Sequence, residues 1–299
     1  MKRKFKNLPK PGESISFKNG FVTKRFDDER VVADRVERAK ILGNIVPKIV
    51  KNSKHSYTYK FAQGELISKI SDVKKFEEFL NFCKTNLWKK PPRLSSGQAK
   101  EFREKVHKFY YDKTLKRLEK FYTETGIKDK AEVINGEKTP TIKSLLKQID
   151  WKWLTKGMPV LFHGDLQPEN ILVTKNGFKL LDWRHDFEGL KAYGDIYYDF
   201  AKLYHALLIS HEVVRKGEYS VKRGKKTIDF HFLVKNNLLD FKNVFEKWLV
   251  KNKYDLKKVE VLSALIYINI APLHHYPYNE LLYYLGKRSL YDILNQEHS

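Results

Sequence analysis

The sequence is poor in cysteine and has no long apolar segment. Cys83 is the only cysteine in 299 residues, which excludes an intrachain disulfide and a zinc site built from cysteines. No run approaches the roughly 18 consecutive apolar residues of a membrane-spanning helix. The basic N-terminal segment has no apolar stretch behind it, so we expect no secretory signal. These absences predict a cytoplasmic protein.

Acidic residues are scarce relative to basic ones. The chain has 58 Lys and Arg residues against 36 Asp and Glu, which gives a formal net charge of +22. Such a charge attracts polyanions, including nucleic acid, an anionic membrane face, phosphorylated glycans and nucleotides. Because the basic residues are spread over the whole chain, we favour a solvated lysine-rich surface. We expect no obligate nucleic-acid partner, and peripheral contact with an anionic surface stays open.

The most informative segment is 160–183, VLFHGDLQPENILVTKNGFKLLDW. Asn170 follows Asp165 by five residues, and Asp182 ends the second of two short apolar runs. The Asn-Gly pair between these runs favours a tight hairpin turn. A hairpin would bring Asn170 and Asp182 side by side at its open end.

These residue types suit phosphoryl transfer. That reaction needs a hydroxyl in line with the γ-phosphate and metal ions that neutralise charge. Asp165 fits the role of catalytic base, while Asn170 and Asp182 offer the oxygen ligands that Mg²⁺ prefers. The alternative is a polar turn between core strands, for which Asn, Asp and Gly are common residues. The flanking strands and the correctly spaced second Asp favour the catalytic interpretation.

The strings HGDLQPEN and LLDW resemble the catalytic loop and metal-binding Asp of the aminoglycoside phosphotransferase and choline kinase family, relatives of the protein kinases. The resemblance implies an α+β, two-lobed protein-kinase-like fold. A small N-terminal antiparallel sheet with one helix would bind nucleotide, and we assign it to 1–63. A larger, mainly helical lobe carrying the catalytic β-hairpin would follow at 64–299. ATP, or GTP, and Mg²⁺ are the implied cofactors.

The N-terminal segment offers nucleotide contacts. Residues 15–26 predict a hairpin in which Val22 and Lys24 share one strand face. By resemblance, Val22 would cover the base and Lys24 would reach the phosphates. A helix is predicted at 28–42, and Glu37, spaced four residues from apolar neighbours, is our candidate to pair with Lys24, with Asp34 as second choice. The lobe connection would offer base contacts from Tyr59, Lys60, Phe61 and Ala62.

The segment after Asp182 would determine which acceptor the protein binds. The candidate residues there are Arg184, His185, Asp186, Glu188 and Tyr193. Each is equally compatible with an exposed loop. GDIYYDFA at 194–201 resembles the family element whose acidic groups brace the catalytic loop, so we interpret Asp195 and Asp199 as structural. We also interpret His163 as holding the loop by hydrogen bonds.

Two features depart from the family pattern. No glycine-rich phosphate loop is recognisable upstream of Ile15, and the choline-kinase pattern after the second Asp is missing. The arrangement after Asp182 looks more like the small phosphotransferases found with bacterial surface-polysaccharide synthesis. We therefore expect a magnesium-dependent kinase acting on a hydroxyl of a sugar or amino alcohol. The alternative is a catalytically silent nucleotide-binding adaptor whose basic surface docks on nucleic acid or an anionic membrane.

Overall fold

A computed structural model describes residues 12–295 of the chain, so residues 1–11, which our N-terminal lobe assignment includes, lie outside the described part. The first part of the structure is one antiparallel sheet with strand order β1-β2-β4-β3 and a single helix. Its elements are β1 Glu13–Lys18, β2 Phe21–Phe26, α1 Glu29–Leu42, β3 Ile49–Ser53 and β4 Ser56–Lys60.

Local sequence accounts for this sheet and helix. Asn19 and Gly20 both have positive φ, at 49° and 75°, as a tight hairpin turn between β1 and β2 requires. On β2, Val22 and Lys24 are buried on one face, as strand alternation predicts. Asp28 caps α1 by accepting a hydrogen bond from the backbone N–H of Arg30.

The rest of the chain is mainly helical. Its helices are α2 Val73–Asn86, α3 Ser96–His107, α4 Lys113–Thr125, α5 Ile142–Gln148, α6 Trp151–Leu154, α7 Ile196–Ala206, α8 His211–Lys216, α9 Asn236–Lys251, α10 Leu256–Ile270 and α11 Tyr278–Asn295. Its short strands are β5 Glu65–Leu66, β6 Glu132–Ile134, β7 Glu137–Thr139, β8 Pro159–Val160, β9 Ile171–Thr174, β10 Gly177–Leu180, β11 Gly194–Asp195, β12 Tyr219–Arg223 and β13 Thr227–Phe232. Within residues 12–295, no helix combines the length and apolarity needed to cross a bilayer.

Two features of this larger part position the site. The β9–β10 hairpin forms as predicted and is joined by β5 in a three-stranded sheet. Helix α7 lies at the centre of the helical core, with all 11 of its residues buried.

At the lobe connection, Gly64 lies against the backbone of Val173 so closely that a Cβ on Gly64 would collide with the Val173 carbonyl oxygen. The α+β, two-lobed arrangement expected from the sequence is confirmed.

The long helical segment that runs from α3 to the end of α4 is interrupted. A π-helical turn, Lys108–Asp112, lies between α3 and α4. Phe102, Phe109 and Phe121 of this segment still face the core, whereas Leu115 is exposed. The π turn adds one residue to the helical repeat, so it changes which side chains of α4 follow the buried face.

Candidate active site

The buried carboxylate of Asp199 on α7 holds the catalytic loop, and a second buried carboxylate, Asp195, lies just before that helix. Asp199 accepts hydrogen bonds from the backbone N–H groups of His163 at 2.8 Å and Gly164 at 2.6 Å, and from the Trp88 indole at 3.1 Å. Asp195 accepts from the Tyr110 hydroxyl at 2.7 Å. Burial raises the pKa of each carboxyl to about 6. Both carboxylates act as buried structural acceptors, as the sequence predicts, but only Asp199 contacts the catalytic loop, since Asp195 also accepts from the backbone N–H of Met158.

His163 is also structural. Its side chain is buried, and its Nδ1 accepts a hydrogen bond from the backbone N–H of Asp165 at 3.3 Å. Burial lowers the pKa of His163 to about 4, so the imidazole is neutral at physiological pH. A neutral ring fixes the loop that presents Asp165.

Asp165 is held by two donors. Its Oδ1 accepts from the Gln167 side-chain amide at 2.8 Å and lies 2.9 Å from Nζ of Lys202 on α7. The Lys202 side chain is 8% exposed, which is rare for lysine unless it is paired. Sequence reasoning did not single out Lys202, although a lysine inside a helix of mostly apolar and aromatic residues is a usable signal.

Asn170 and Asp182 meet at the open end of the hairpin. The backbone N–H of Leu181 donates to the carbonyl of Asn170 at 2.7 Å, and the Asn170 side-chain amide donates to the carbonyl of Asp165 at 2.9 Å. Asp182 has φ 60°, a left-handed conformation that a non-glycine residue adopts at some cost and that is frequent at functional sites. Because the amide nitrogen of Asn170 is used, its amide oxygen is the atom available to a cation.

Two cations converge on Asp182. Its Oδ1 lies 2.6 Å from Lys24 Nζ and 2.6 Å from an η nitrogen of Arg35. Burial alone would lower the pKa of Arg35, but the Asp182 carboxylate raises it, so the guanidinium stays charged. The indole N–H of Trp183 donates to the backbone carbonyl of Arg35 at 2.9 Å and fixes that turn of α1.

The prediction that Lys24 forms an ion pair with Glu37 is wrong. Glu37 lies on the exposed side of α1, where its carboxylate pairs with Lys191 at 2.5 Å, and Asp34 contacts the same lysine at 3.2 Å. The buried face of α1 carries Val32, Arg35, Arg38 and Leu42. The other face, with Ala33, Glu37 and Ile41, is exposed. Arg35 therefore occupies the position toward the cleft that we had expected an acidic residue to fill.

A cavity of about 930 Å³ lies between the lobes. From the small lobe it is lined by Val22, Lys24, Tyr59, Phe61 and Ala62, and from the large lobe by Asn170 and Asp182. Lys60 is exposed and is absent from this lining, because it points to the opposite face of β4. Three further residues that line the cavity were not assigned from the sequence, namely Leu66, Glu169 and Leu172. Leu66 and Leu172 carry no motif, whereas Glu169 lies within the HGDLQPEN string.

The predicted acceptor residues separate into two groups. Arg184 and Glu188 line a second cavity of about 510 Å³. Asp186 is engaged by its own loop, since it lies 3.3 Å from His185 Nε2 and accepts from the backbone N–H of Gly189 at 2.7 Å. Tyr193 packs against Phe102, with ring centroids 5.9 Å apart. His185, Asp186 and Tyr193 are not among the residues that line either cavity.

The donor set fits magnesium better than a softer metal. Over the part of the chain that the structure describes, no group of three His, Cys, Asp or Glu side chains is arranged to hold a metal ion. Asn170 and Asp182 instead supply an amide oxygen and a carboxylate at one end of the first cavity. Mg²⁺ is commonly held by one or two such groups together with substrate phosphates.

The comparisons with known proteins agree with this geometry. Residues 97–215 match the model of the phosphotransferase enzyme family. No curated protein sequence matches the chain. Among solved structures, a protein assigned as a fructosamine-3-kinase from Thermobifida fusca is 12% identical with a TM-score of 0.54, over 90% of this chain and 85% of that one.

Two further structures are similar. An ethanolamine kinase from Plasmodium vivax is 15% identical with a TM-score of 0.51, over 96% of this chain and 83% of that one. The gentamicin complex of APH(2″)-IIa is 17% identical with a TM-score of 0.50, over 93% and 87%. At such identities the likeness concerns the fold. The chain therefore has the protein-kinase-like fold, and the segment that holds Asp165, Asn170 and Asp182 lies within residues 97–215, which match the model of the phosphotransferase enzyme family.

Proposed function

We propose that this phosphotransferase moves the γ-phosphoryl group of ATP to a hydroxyl of a small molecule such as a sugar or amino alcohol, with Asp165 as the catalytic base. One observation carries the proposal. Asp165 and Asn170 are joined by a hydrogen bond in one loop, and Asn170 and Asp182 line one end of a cavity that also receives Lys24.

The first cavity suits a nucleotide. Its walls are apolar near Val22, Tyr59 and Leu172, where a base would lie, and charged near Lys24 and Asp182, where phosphates would lie. Lys24 would contact the phosphates, and Asn170 and Asp182 would hold magnesium. When bound, the ion neutralises charge on the phosphates. We place the boundary between the two lobes near residue 63. The backbone at 59–62, just before this boundary, would contact the base.

The role of Asp165 follows from its position. Gln167 and Lys202 both hold its Oδ1, so the carboxylate has a fixed orientation before substrate arrives. Such preorganisation lets Asp165 accept a hydrogen bond from an acceptor hydroxyl and then its proton as the phosphoryl group is transferred. Loss of this group should affect the reaction step more than nucleotide binding.

The test measures nucleotide consumption with magnesium and either ATP or GTP over a panel of sugars, amino alcohols and aminoglycosides. We expect an acceptor-dependent rate with ATP that falls by orders of magnitude in Asp165→Asn. Thermal shift with Mg-ATP should be nearly the same for both proteins. A rate in Asp165→Asn equal to that of the wild type would refute the assigned role.

A further inference from the structure

We propose that the acceptor is a phosphomonoester, such as a sugar phosphate, and that its phosphate is held in the second cavity by Lys113, Arg117 and Arg184. The inference rests on the proposed function, since it names the acceptor class of that same site. Beyond a hydroxyl for transfer, the acceptor would then need a dianionic group.

The second cavity adjoins the catalytic loop. Arg184, which lines it, follows Asp182 by two residues, and its backbone N–H donates to the carbonyl of His163 at 2.9 Å. Its side chain runs across Gly164, so that a Cβ on this glycine would lie 2.5 Å from the Arg184 Cβ. Gly164 immediately precedes Asp165. No residue lines both cavities, so this cavity is separate from the one assigned to nucleotide.

The charge of this cavity is strongly positive. It is lined by six cationic residues and two acidic ones, namely Lys108, Lys113, Lys116, Arg117, Lys120 and Arg184 against Asp112 and Glu188. Glu188 pairs with Lys108 at 3.3 Å, and Lys120 pairs with Glu124 outside the lining. Within residues 12–295, no carboxylate lies within 4.0 Å of a charged nitrogen of Lys113, Arg117 or Arg184.

The position of Lys113 is costly without an anion. Its Nζ lies 3.9 Å from the Phe109 ring centroid and 5.8 Å from that of Tyr198. The Arg184 guanidinium lies 5.0 Å from the same Phe109 ring. Burial lowers the pKa of Lys113 well below its usual value, and Arg184, Arg117 and Lys202 add to this effect. Aromatic faces offset only part of such a cost.

The π-helical turn explains how these cations come together. It ends at Asp112, so Lys113 begins α4, and Arg117 follows four residues later on the same helix face. Arg184 reaches the cavity from the opposite side. π turns are frequent at functional sites because they change the register of side chains within a helix.

Phosphate fits this group better than a carboxylate. Two guanidinium groups can each form parallel hydrogen bonds to an oxyanion, and the lysine adds a third charge. A phosphomonoester carries close to two negative charges at neutral pH. A single carboxylate would leave more of the positive charge of the three cations uncompensated.

The first test is binding with the nucleotide cavity filled. ADP-loaded protein is titrated with inorganic phosphate, glucose 6-phosphate, glucose and glucuronate in the millimolar range. We expect phosphate and glucose 6-phosphate to bind, at least tenfold more tightly than glucose and glucuronate. Binding should be lost in Lys113→Met with Arg117→Gln. Lys247→Met, an exposed lysine on α9, is the matched control and should bind as the wild type does.

Unfolding of the variant separates a binding defect from a folding defect. In the double variant, Lys113→Met puts an apolar chain of similar length in place of a cation that has no carboxylate within 4.0 Å, and Arg117→Gln removes a second such cation, so Tm without ligand should stay the same or rise. A folded variant with unchanged phosphate binding would overturn the proposal, as would equal binding of glucuronate or no phosphate binding by wild type.

Turnover distinguishes this inference from the proposed function. Among acceptors that the wild type phosphorylates, kcat/KM should be at least tenfold higher for a sugar phosphate than for its neutral parent, and Lys113→Met should remove the preference. Efficient turnover of neutral acceptors alone would overturn the phosphate pocket and leave the kinase assignment standing. Phosphate binding without turnover of any acceptor would count against the kinase assignment and leave the pocket standing.

Discussion

The carboxylate of Asp182 contacts two cations, Lys24 and Arg35. We predicted that Lys24 pairs with Glu37 or Asp34 of α1, but Lys24 contacts Asp182 directly. Arg35 contacts the same carboxylate oxygen and is held by the indole of Trp183 through its backbone carbonyl. The acidic residues of α1 are engaged with Lys191 on the outside.

Glu37→Gln should therefore have little effect on catalysis. The Glu37 side chain is 52% exposed, and exposed ion pairs are worth about 0–1 kcal/mol, so kcat/KM should stay within roughly fivefold of the wild type. Asp182→Asn should lower it by orders of magnitude, because a ligand position for magnesium is weakened. Steady-state kinetics of the two variants checks this. A large loss in Glu37→Gln would show that α1 uses its other face during catalysis.

His163 should make stability depend on pH. Its folded pKa, about 4, lies below the unfolded value near 6.5, so its contribution is present above about pH 6.5 and is lost as pH falls toward 4. Between pH 7 and pH 5 this loss amounts to about 2 kcal/mol.

Denaturant unfolding of wild type and His163→Gln at both pH values isolates the effect. The carboxyls of Asp195 and Asp199 titrate in both proteins, so their opposite contribution cancels in the difference. The wild type should lose about 2 kcal/mol more than the variant. The same loss of unfolding free energy in wild type and His163→Gln would mean that the His163 ring is already protonated in the folded protein at pH 5.

Sequence reasoning singles out residues whose chemistry stands out. Asp165, Asn170 and Asp182 were recognisable because their spacing matches one reaction, and the structure joins them in one region. Arg35 and Lys113 were not recognisable, because each is one of 58 basic residues and only tertiary packing shows which are buried. Lys202 was overlooked, although its place among the apolar residues of α7 is a usable signal.

At the scale of elements, α1 joins the small lobe to the catalytic loop through Arg38. This fully buried arginine donates to the backbone carbonyls of Phe162 and, at 3.1 Å, Lys191, and its guanidinium lies 3.9 Å from the Phe162 ring centroid. The loop position therefore depends on a side chain of the other lobe.

Arg38→Met should lower the free energy of unfolding by about 2–4 kcal/mol, because two buried carbonyls lose their charged donor. Arg30→Met, on the exposed face of α1, is the matched control and should stay within about 0.5 kcal/mol of the wild type. Urea titration measures both. Equal stability of the two variants would mean that the Arg38 contacts are not required by the fold.

Elements were predictable where local chemistry decides them. The two hairpins follow from Asn-Gly turns, and α1 begins after its capping Asp28. The π turn between α3 and α4 was not predictable, because α and π helices share the same residue preferences and differ in packing. The prediction of which face of α1 is buried was wrong for a similar reason, since both candidate faces carry apolar residues.

At the scale of the whole molecule, direct contacts join the two lobes. Lys24 and Arg35 reach Asp182, and Lys191 reaches Asp34 and Glu37. The net charge of +22, which looked like a general property of the surface, is in part concentrated in the second cavity. Five of the six cations that line this cavity come from residues 108–120, and packing adds Arg184 from a distant segment. Composition could not show this, because it does not tell which basic residues share a cavity.

Removal of magnesium should therefore abolish turnover without unfolding the protein. The lobes are held by side-chain contacts, so chelation should leave Tm of the nucleotide-free protein unchanged, while acceptor phosphorylation falls to background and returns when Mg²⁺ is added. A fall in Tm on chelation would show that a metal ion contributes to the fold itself.

The central claim is that Asp165 promotes direct phosphoryl transfer to a hydroxyl. A single-turnover measurement with γ-³²P-labelled ATP and an acceptor from the panel tests it, with wild type and Asp165→Asn at matched nucleotide occupancy. The account predicts label in the acceptor at a rate that is lower by orders of magnitude in the variant. Transfer at the same rate in both proteins, or label appearing only as inorganic phosphate, would contradict it.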